Sequence, residues 1–143
     1  MSSLMLIASG MAGGLGACLV LRFVWAAVAG RAPSSTKSDT GLWRHSGAAN
    51  EILYVGSHAL IGAGIGLLFW LSWGFTALSN LTWWQQGLSF ALLNALVFGV
   101  LPLAVLRSLL RCAISIYWVL LCELLCTSVA ASLAVSWSWK HAF

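Results

Sequence analysis

Four stretches of this chain, Leu4 to Ala29, Ile52 to Ala77, Leu88 to Leu106 and Cys112 to Val135, are apolar for long enough to cross a bilayer. A crossing takes about 20 apolar residues at about 1.5 Å of rise each. In hydrocarbon every backbone amide must be satisfied internally, which leaves only helices and closed barrels. Barrel strands alternate apolar and polar residues, and none of the four runs does so. The predicted fold class is therefore all-α: a polytopic integral membrane protein, a bundle of four transmembrane helices forming one domain over residues 1–143.

Composition excludes a water-soluble alternative. Only 7% of the residues are charged and 61% are hydrophobic, with a mean hydropathy of +0.95. A globular chain carries about 25% charged residues to cover its surface. The first expected partner is the lipid bilayer, and the expected location is a bacterial inner membrane or its equivalent, with the chain crossing several times. The first run begins almost at Met1, where a signal peptide would lie. Ser2 and Ser3 supply no basic n-region, however, and the run is longer than a usual h-region, so it reads as a retained span.

Lys and Arg set the expected orientation. Arg31, Lys37, Arg44, Arg107 and Arg111 fall on one side of a four-span arrangement and Lys140 alone on the other. The positive-inside bias places the 30–50 loop in the cytoplasm and both termini on the extracytoplasmic side. Trp70, Trp73, Trp83, Trp84, Trp137 and Trp139 then form an interfacial belt at the outer ends of the spans. Topology accounts for the net charge of +4. The basic residues flank spans rather than forming a stripe, so no nucleic-acid partner is expected.

The Gly30 to Asn50 loop is rich in Ser, Thr and Gly, is broken by Pro33, and is too short for a catalytic domain. Leu42, Trp43, Arg44 and His45 suit either a short amphipathic turn on the membrane surface or a polar loop with one Trp anchor. Asn50 is placed to cap the second span.

Glycine spacing marks where helices meet. Gly10 and Gly14 are four residues apart, as are Gly13 and Ala17, and Gly62 and Gly66 repeat the interval in the second span. Small residues at that spacing let two helix backbones approach closely. The run from Gly62 to Gly66 superficially resembles a nucleotide loop, but position 67 is Leu and no strand precedes it, so packing is the expected role.

Glu123 is the only acidic side chain inside any of the four runs. An isolated ion there costs at least ~2.5 kcal/mol, so this carboxyl must be protonated, paired or hydrogen-bonded. Counted from Cys112, it falls near mid-membrane. His58 shares the Gly62 and Gly66 stripe and looks inward, about a turn and a half nearer the cytoplasm. Together they suit a proton-accepting pair, His for its near-neutral titration; alternatively, both are buried polar groups that hydrogen-bond helices together. Asn94 in the third span is the other candidate partner, with helix-to-helix hydrogen bonding as its plain role. Arg22 is rotated about 120° from Gly10 and about 140° from Ala17, which predicts that it leaves the small-residue face and snorkels to the headgroups. Pro102 removes a backbone donor near the cytoplasmic end of the third span and predicts a break there.

Enzyme chemistry finds no motif. A nucleophile elbow, a Walker loop, paired carboxylates and a His-rich metal cluster are all missing from the sequence. Ser57 and His58 are adjacent and so point about 100° apart on a helix, which prevents them acting as nucleophile and base. Cys18, Cys122 and Cys126 lie within spans, where thiols pack as small apolar groups. No catalytic residue, metal site or cofactor is expected. The leading expectation is a non-enzymatic scaffold or accessory subunit that packs with a second copy or a membrane-protein partner through its glycine faces. The alternative is a small proton-coupled transporter or channel that uses Glu123 and His58.

Overall fold

The computed structural model describes residues 3–31, 48–72, 80–109 and 114–141. All the regular structure among them is helical: α1 (Ser3–Arg31), α2 (Ala48–Leu71), α3 (Trp83–Asn94), a π-helical segment (Ala95–Val100), α4 (Leu101–Leu109) and α5 (Ile114–His141). Four spans are long and apolar enough to cross a membrane: Ser3–Val28, Ile52–Leu71, Trp83–Val105 and Tyr117–His141. Residues 32–47, which include Pro33, Lys37, Trp43, Arg44 and His45, lie outside the described residues. Trp73, Arg111 and Cys112 also lie outside them, as do the side chains of Arg31 and Arg107.

The helices do not stop where the apolar runs stop. Helix α2 begins at Ala48, so Asn50 sits inside its first turn rather than capping it; two alanines, the best helix formers, extend the start. Helix α3 begins at Trp83 rather than near Leu88. Its start is set by Gln85, whose Oε1 accepts from the Thr82 backbone N–H at 3.1 Å and from the Thr82 hydroxyl at 2.8 Å. Helix α5 continues past Val135 to His141 and takes in Trp137 and Trp139. These belt residues suit an interface and are still helical, so hydrophobicity falls before helicity does.

Pro102 lies just beyond the π segment. Proline has no N–H to serve the carbonyl of Phe98, and upstream of it the backbone is wound one residue wider, with the Leu101 N–H donating to Leu96 O. The break thus takes the form of a π segment six residues long, a form that recurs at functional sites.

Two antiparallel contacts organise the bundle. In the first, α1 lies against α2 with backbone touching backbone: a methyl on Gly10 would strike Gly62 O, one on Gly14 would strike His58 O, and one on Gly66 would strike Leu6 O. Each step of four along α1 is matched by a step of four back along α2. In the second, α5 packs against α3 through hydroxyls. Ser128 donates to Ala91 O at 3.2 Å and Ser136 donates to Trp83 O at 2.6 Å. Ser132 falls between them, opposite Gly87, where an added methyl would meet the Ser132 carbonyl oxygen at 3.2 Å.

Helix α1 joins these two pairs. Its Gly13 comes so close to α5 that a methyl there would lie 2.6 Å from Ala131 Cα. Leu6, Ile65, Phe69, Phe90, Ala131 and Val135 form the buried apolar core, with Trp139 packed against it. Phe69 and Phe90 meet edge to face with centroids 5.0 Å apart, a geometry worth about 0.5–1.5 kcal/mol beyond burial.

Candidate functional site

Glu123 is nine residues past Ile114, at about one third of the length of α5. Along the helix, Glu123 is thus closer to the Ile114 end of α5 than to its His141 end. The side chain is partly buried, and it has a hydrogen-bond donor that the sequence pattern did not single out. Tyr54 on α2 donates its hydroxyl to Glu123 Oε1 at 3.1 Å.

Tyr54 also occupies the place between Glu123 and His58. Residues 54 and 58 are one turn apart on α2, and their rings lie 4.5 Å apart with an interplanar angle of 56°. His58 is buried, at 4% exposure. Its Nδ1 lies 2.9 Å from the Tyr54 carbonyl oxygen. A carbonyl only accepts, so Nδ1 carries a hydrogen, and the neutral ring is the Nδ1–H tautomer. His58 is thus tied to its own helix, and the phenol makes the link to α5. Along α5, the Thr127 hydroxyl donates to Glu123 O at 2.7 Å.

Helix α1 completes the surroundings. Cys18 is buried, and both it and Tyr54 lie in the electrostatic field of Arg22 and Glu123. Arg22 is exposed on α1, as expected of a side chain that leaves the small-residue face, yet its charge still acts on Cys18 and Tyr54. Gly14, Cys18 and Arg22 are successive fours along α1, and with Gly14 against His58 the long guanidinium stem starts one turn beyond Cys18. A carboxyl, a phenol, a thiol and a guanidinium from three helices thus share one end of the α1, α2 and α5 group.

Asn94 belongs to a different place. It is buried, at 5% exposure, and its Nδ2 donates to Phe90 O one turn back at 2.8 Å. It lines a small cleft of about 130 Å³ with Gly64, Ala95, Phe98 and Gly99, between α2, α5 and the π segment. Glu123 and His58 do not line this cleft.

Gly10, Gly14, Gly62 and Gly66 are all buried at the contact between α1 and α2. Their faces are covered by the chain itself. At Gly16, Gly56, Gly64 and Gly99 an added methyl would meet nothing within 4 Å, so their sides are open. Cys122 and Cys126 are exposed on α5. Among the described residues, no three His, Cys, Asp or Glu side chains gather in a group able to hold a metal ion.

Sequence reasoning passed over Tyr54, Gln86 and the serines of α5. The serines carried a readable signal: Ser128, Ser132 and Ser136 recur every four residues and so share one helix face. Tyr54 carried a weaker one, a phenol two residues inside the second apolar run. No protein-family model, curated protein or solved structure matches this chain, so what it does must follow from its own geometry.

Proposed function

We propose that this protein is a non-enzymatic membrane component, a small four-helix scaffold or accessory subunit of a bacterial inner membrane or its equivalent. Its 30–50 loop faces the cytoplasm and both termini lie outside, following the Lys and Arg bias. The observation that carries this reading is the way the interior polar groups are engaged. Ser128 and Ser136 bind carbonyls of α3, Asn94 binds a carbonyl of its own helix, and Tyr54 joins α2 to Glu123. The bonds of Ser128, Ser136 and Tyr54 run between helices and hold them in register, each worth about 0.6 kcal/mol within a membrane. Between the Tyr54 and Ser136 levels, Ile65, Ala131 and Val135 fill the interior.

A partner, whether a second copy or another membrane protein, would meet outward side chains. Leu4, Phe23, Leu53, Leu60, Leu92 and Trp118 are all well exposed, whereas the paired glycine faces are already occupied within the chain. The second reading, a proton-coupled carrier, is favoured by one observation, the hydrogen-bonded Tyr54 and Glu123 pair with His58 beside it.

Glu123→Gln separates the two, since a carboxamide keeps hydrogen bonding but carries no proton. Reconstituted in proteoliposomes with a pH-sensitive dye, the wild type and the variant are both expected to hold a proton gradient equally well. A wild-type leak that disappears in a normally assembled Glu123→Gln variant would overturn the scaffold reading in favour of the carrier.

A further inference from the structure

The N-terminal ends of α1 and α3 and the C-terminal end of α5 meet at one end of the bundle. A shallow, open groove of about 380 Å³ lies there between α1, α3 and α5, bordered by Trp83 and Trp137 and lined by Ala12, Leu133 and Ala134. Three features distinguish it from an ordinary lipid-facing seam.

First, Ser138 lines the groove and is only 8% exposed. Its hydroxyl makes no hydrogen bond among the described residues, unlike Ser9 on the opposite side, which donates to Leu6 O at 3.0 Å. The hydroxyl is reachable from the groove that Ser138 lines, so it can donate to an acceptor placed there. Second, the lining changes character with depth. Ser138 and Trp137 lie within four residues of the end of α5, and Ala134 is a full turn deeper; on α1, Ala12 lies about 4.5 Å deeper than Ser9. Polar atoms and indoles thus stand at the membrane-surface level, with small apolar groups beneath them. Third, one wall is held in place: the Trp137 ring stacks on His141 with centroids 4.7 Å apart and an interplanar angle of 27°.

We propose that this groove binds one glycerolipid. Its acyl chain lies over Ala12 and Ala134 between the two indoles, and an ester carbonyl accepts the Ser138 hydroxyl. The depth gradient selects an amphiphile over a second helix, because a helix would bring apolar side chains to the level of Ser138 and leave the hydroxyl unanswered. The proposal rests on the membrane placement given above.

The full-length chain, reconstituted in phosphatidylcholine vesicles containing a trace of phosphatidylcholine with a diazirine on its acyl chain, is irradiated and digested, and the lipid adducts are mapped by mass spectrometry. Adducts are expected to concentrate on the Ser9–Ala12 and Ala134–Ser138 segments. Ala134→Phe, which fills the groove, should lower their yield about tenfold. Ser138→Ala should lower it about threefold, the worth of one intramembrane hydrogen bond. Gly16→Phe, on a side of α1 that meets nothing within 4 Å, should leave it unchanged. Melting in detergent confirms that each variant is folded. The proposal is overturned if both groove variants label like the wild type, if Gly16→Phe reduces labelling as much as they do, or if the groove segments cross-link to a second copy instead of lipid. Release of the wild-type chain from vesicles by alkaline carbonate would instead overturn the membrane placement, and the lipid site with it.

Discussion

The two ends of the bundle are built on different principles. At the end holding Leu6, Phe69, Phe90 and Trp139, aromatic rings interlock and glycines bring backbones into contact. At the end holding Tyr54 and Glu123, a long side chain bridges two helices, and the π segment and α4 lead the third span away with only slight contact to α5. Lipid competes with any apolar side chain for the same surface, so hydrophobicity alone gives membrane helices little reason to associate. Close backbone packing and hydrogen bonds supply that reason at the first end. The second end has fewer of them, and it is also where the ionisable groups gather. Rigidity and chemistry are thus separated along the bundle axis.

The sharpest way to break this contrast is at Gly10. A leucine there places a side chain on the Gly62 carbonyl, which belongs to backbone and cannot rotate away. We expect Gly10→Leu to destabilise the fold by about 3 kcal/mol or more, at or beyond the upper end of overpacking costs. Titration with a denaturing detergent, followed by circular dichroism, measures it. Gly16→Leu is the matched control, since its methyl position is open, and it should stay within about 0.5 kcal/mol of the wild type. Equal losses at the two sites would mean that the contact between α1 and α2 does not govern stability.

That pair of sites also shows what was legible in the sequence. Four spans follow from apolar length alone, because hydrocarbon permits few alternatives. Which glycines pack was open to the same logic, since Gly10, Gly14, Gly62 and Gly66 share an interval that only close helices need. That Gly10 meets Gly62 while Gly16 faces outward is a matter of register, and register appears only when two helices are set side by side. The serine row shows the same limit. Ser128, Ser132 and Ser136 form a face in the sequence, but their acceptors, Ala91 O and Trp83 O, are backbone atoms that no residue identity announces. Glu123 stood out because it is charged, whereas its donor Tyr54 did not, because a phenol near an interface has an ordinary reason to be there.

A smaller effect is expected from Ser136→Ala. The 2.6 Å bond to Trp83 O is the shorter of the two serine links between α3 and α5, and the Gln86 side-chain amide lies 3.2 Å from the same hydroxyl. Removing the hydroxyl deprives buried acceptors of a donor in a setting without water. The expected loss is about 1 kcal/mol, between the mean and the maximum measured for intramembrane hydrogen bonds. The same detergent titration reads it. Ser132→Ala, at a buried hydroxyl with no hydrogen-bond partner among the described residues, should be neutral or slightly stabilising. A larger loss at Ser132 than at Ser136 would contradict the hydrogen-bonding account of this contact.

A smaller loss than at Ser136 is expected from Tyr54→Phe, even though it removes a direct link to the one acidic group within the spans. Tyr54 and Glu123 are only partly buried, so a freed carboxyl can find water or headgroup partners. The surrounding contacts from Gly14 to His58 and from Gly13 to Ala131 do not depend on the phenol. About 0.6 kcal/mol is expected. The informative change is chemical. With the Tyr54 hydroxyl gone, Glu123 Oε1 loses its 3.1 Å donor, and labelling of Glu123 by a hydrophobic carbodiimide should rise severalfold while the melt barely moves. Had Ser136→Ala been the softer of the two variants, the aromatic end would not be the rigid one. Unchanged carbodiimide labelling in Tyr54→Phe would mean that Arg22 or another neighbour, rather than the phenol, controls access to the carboxyl.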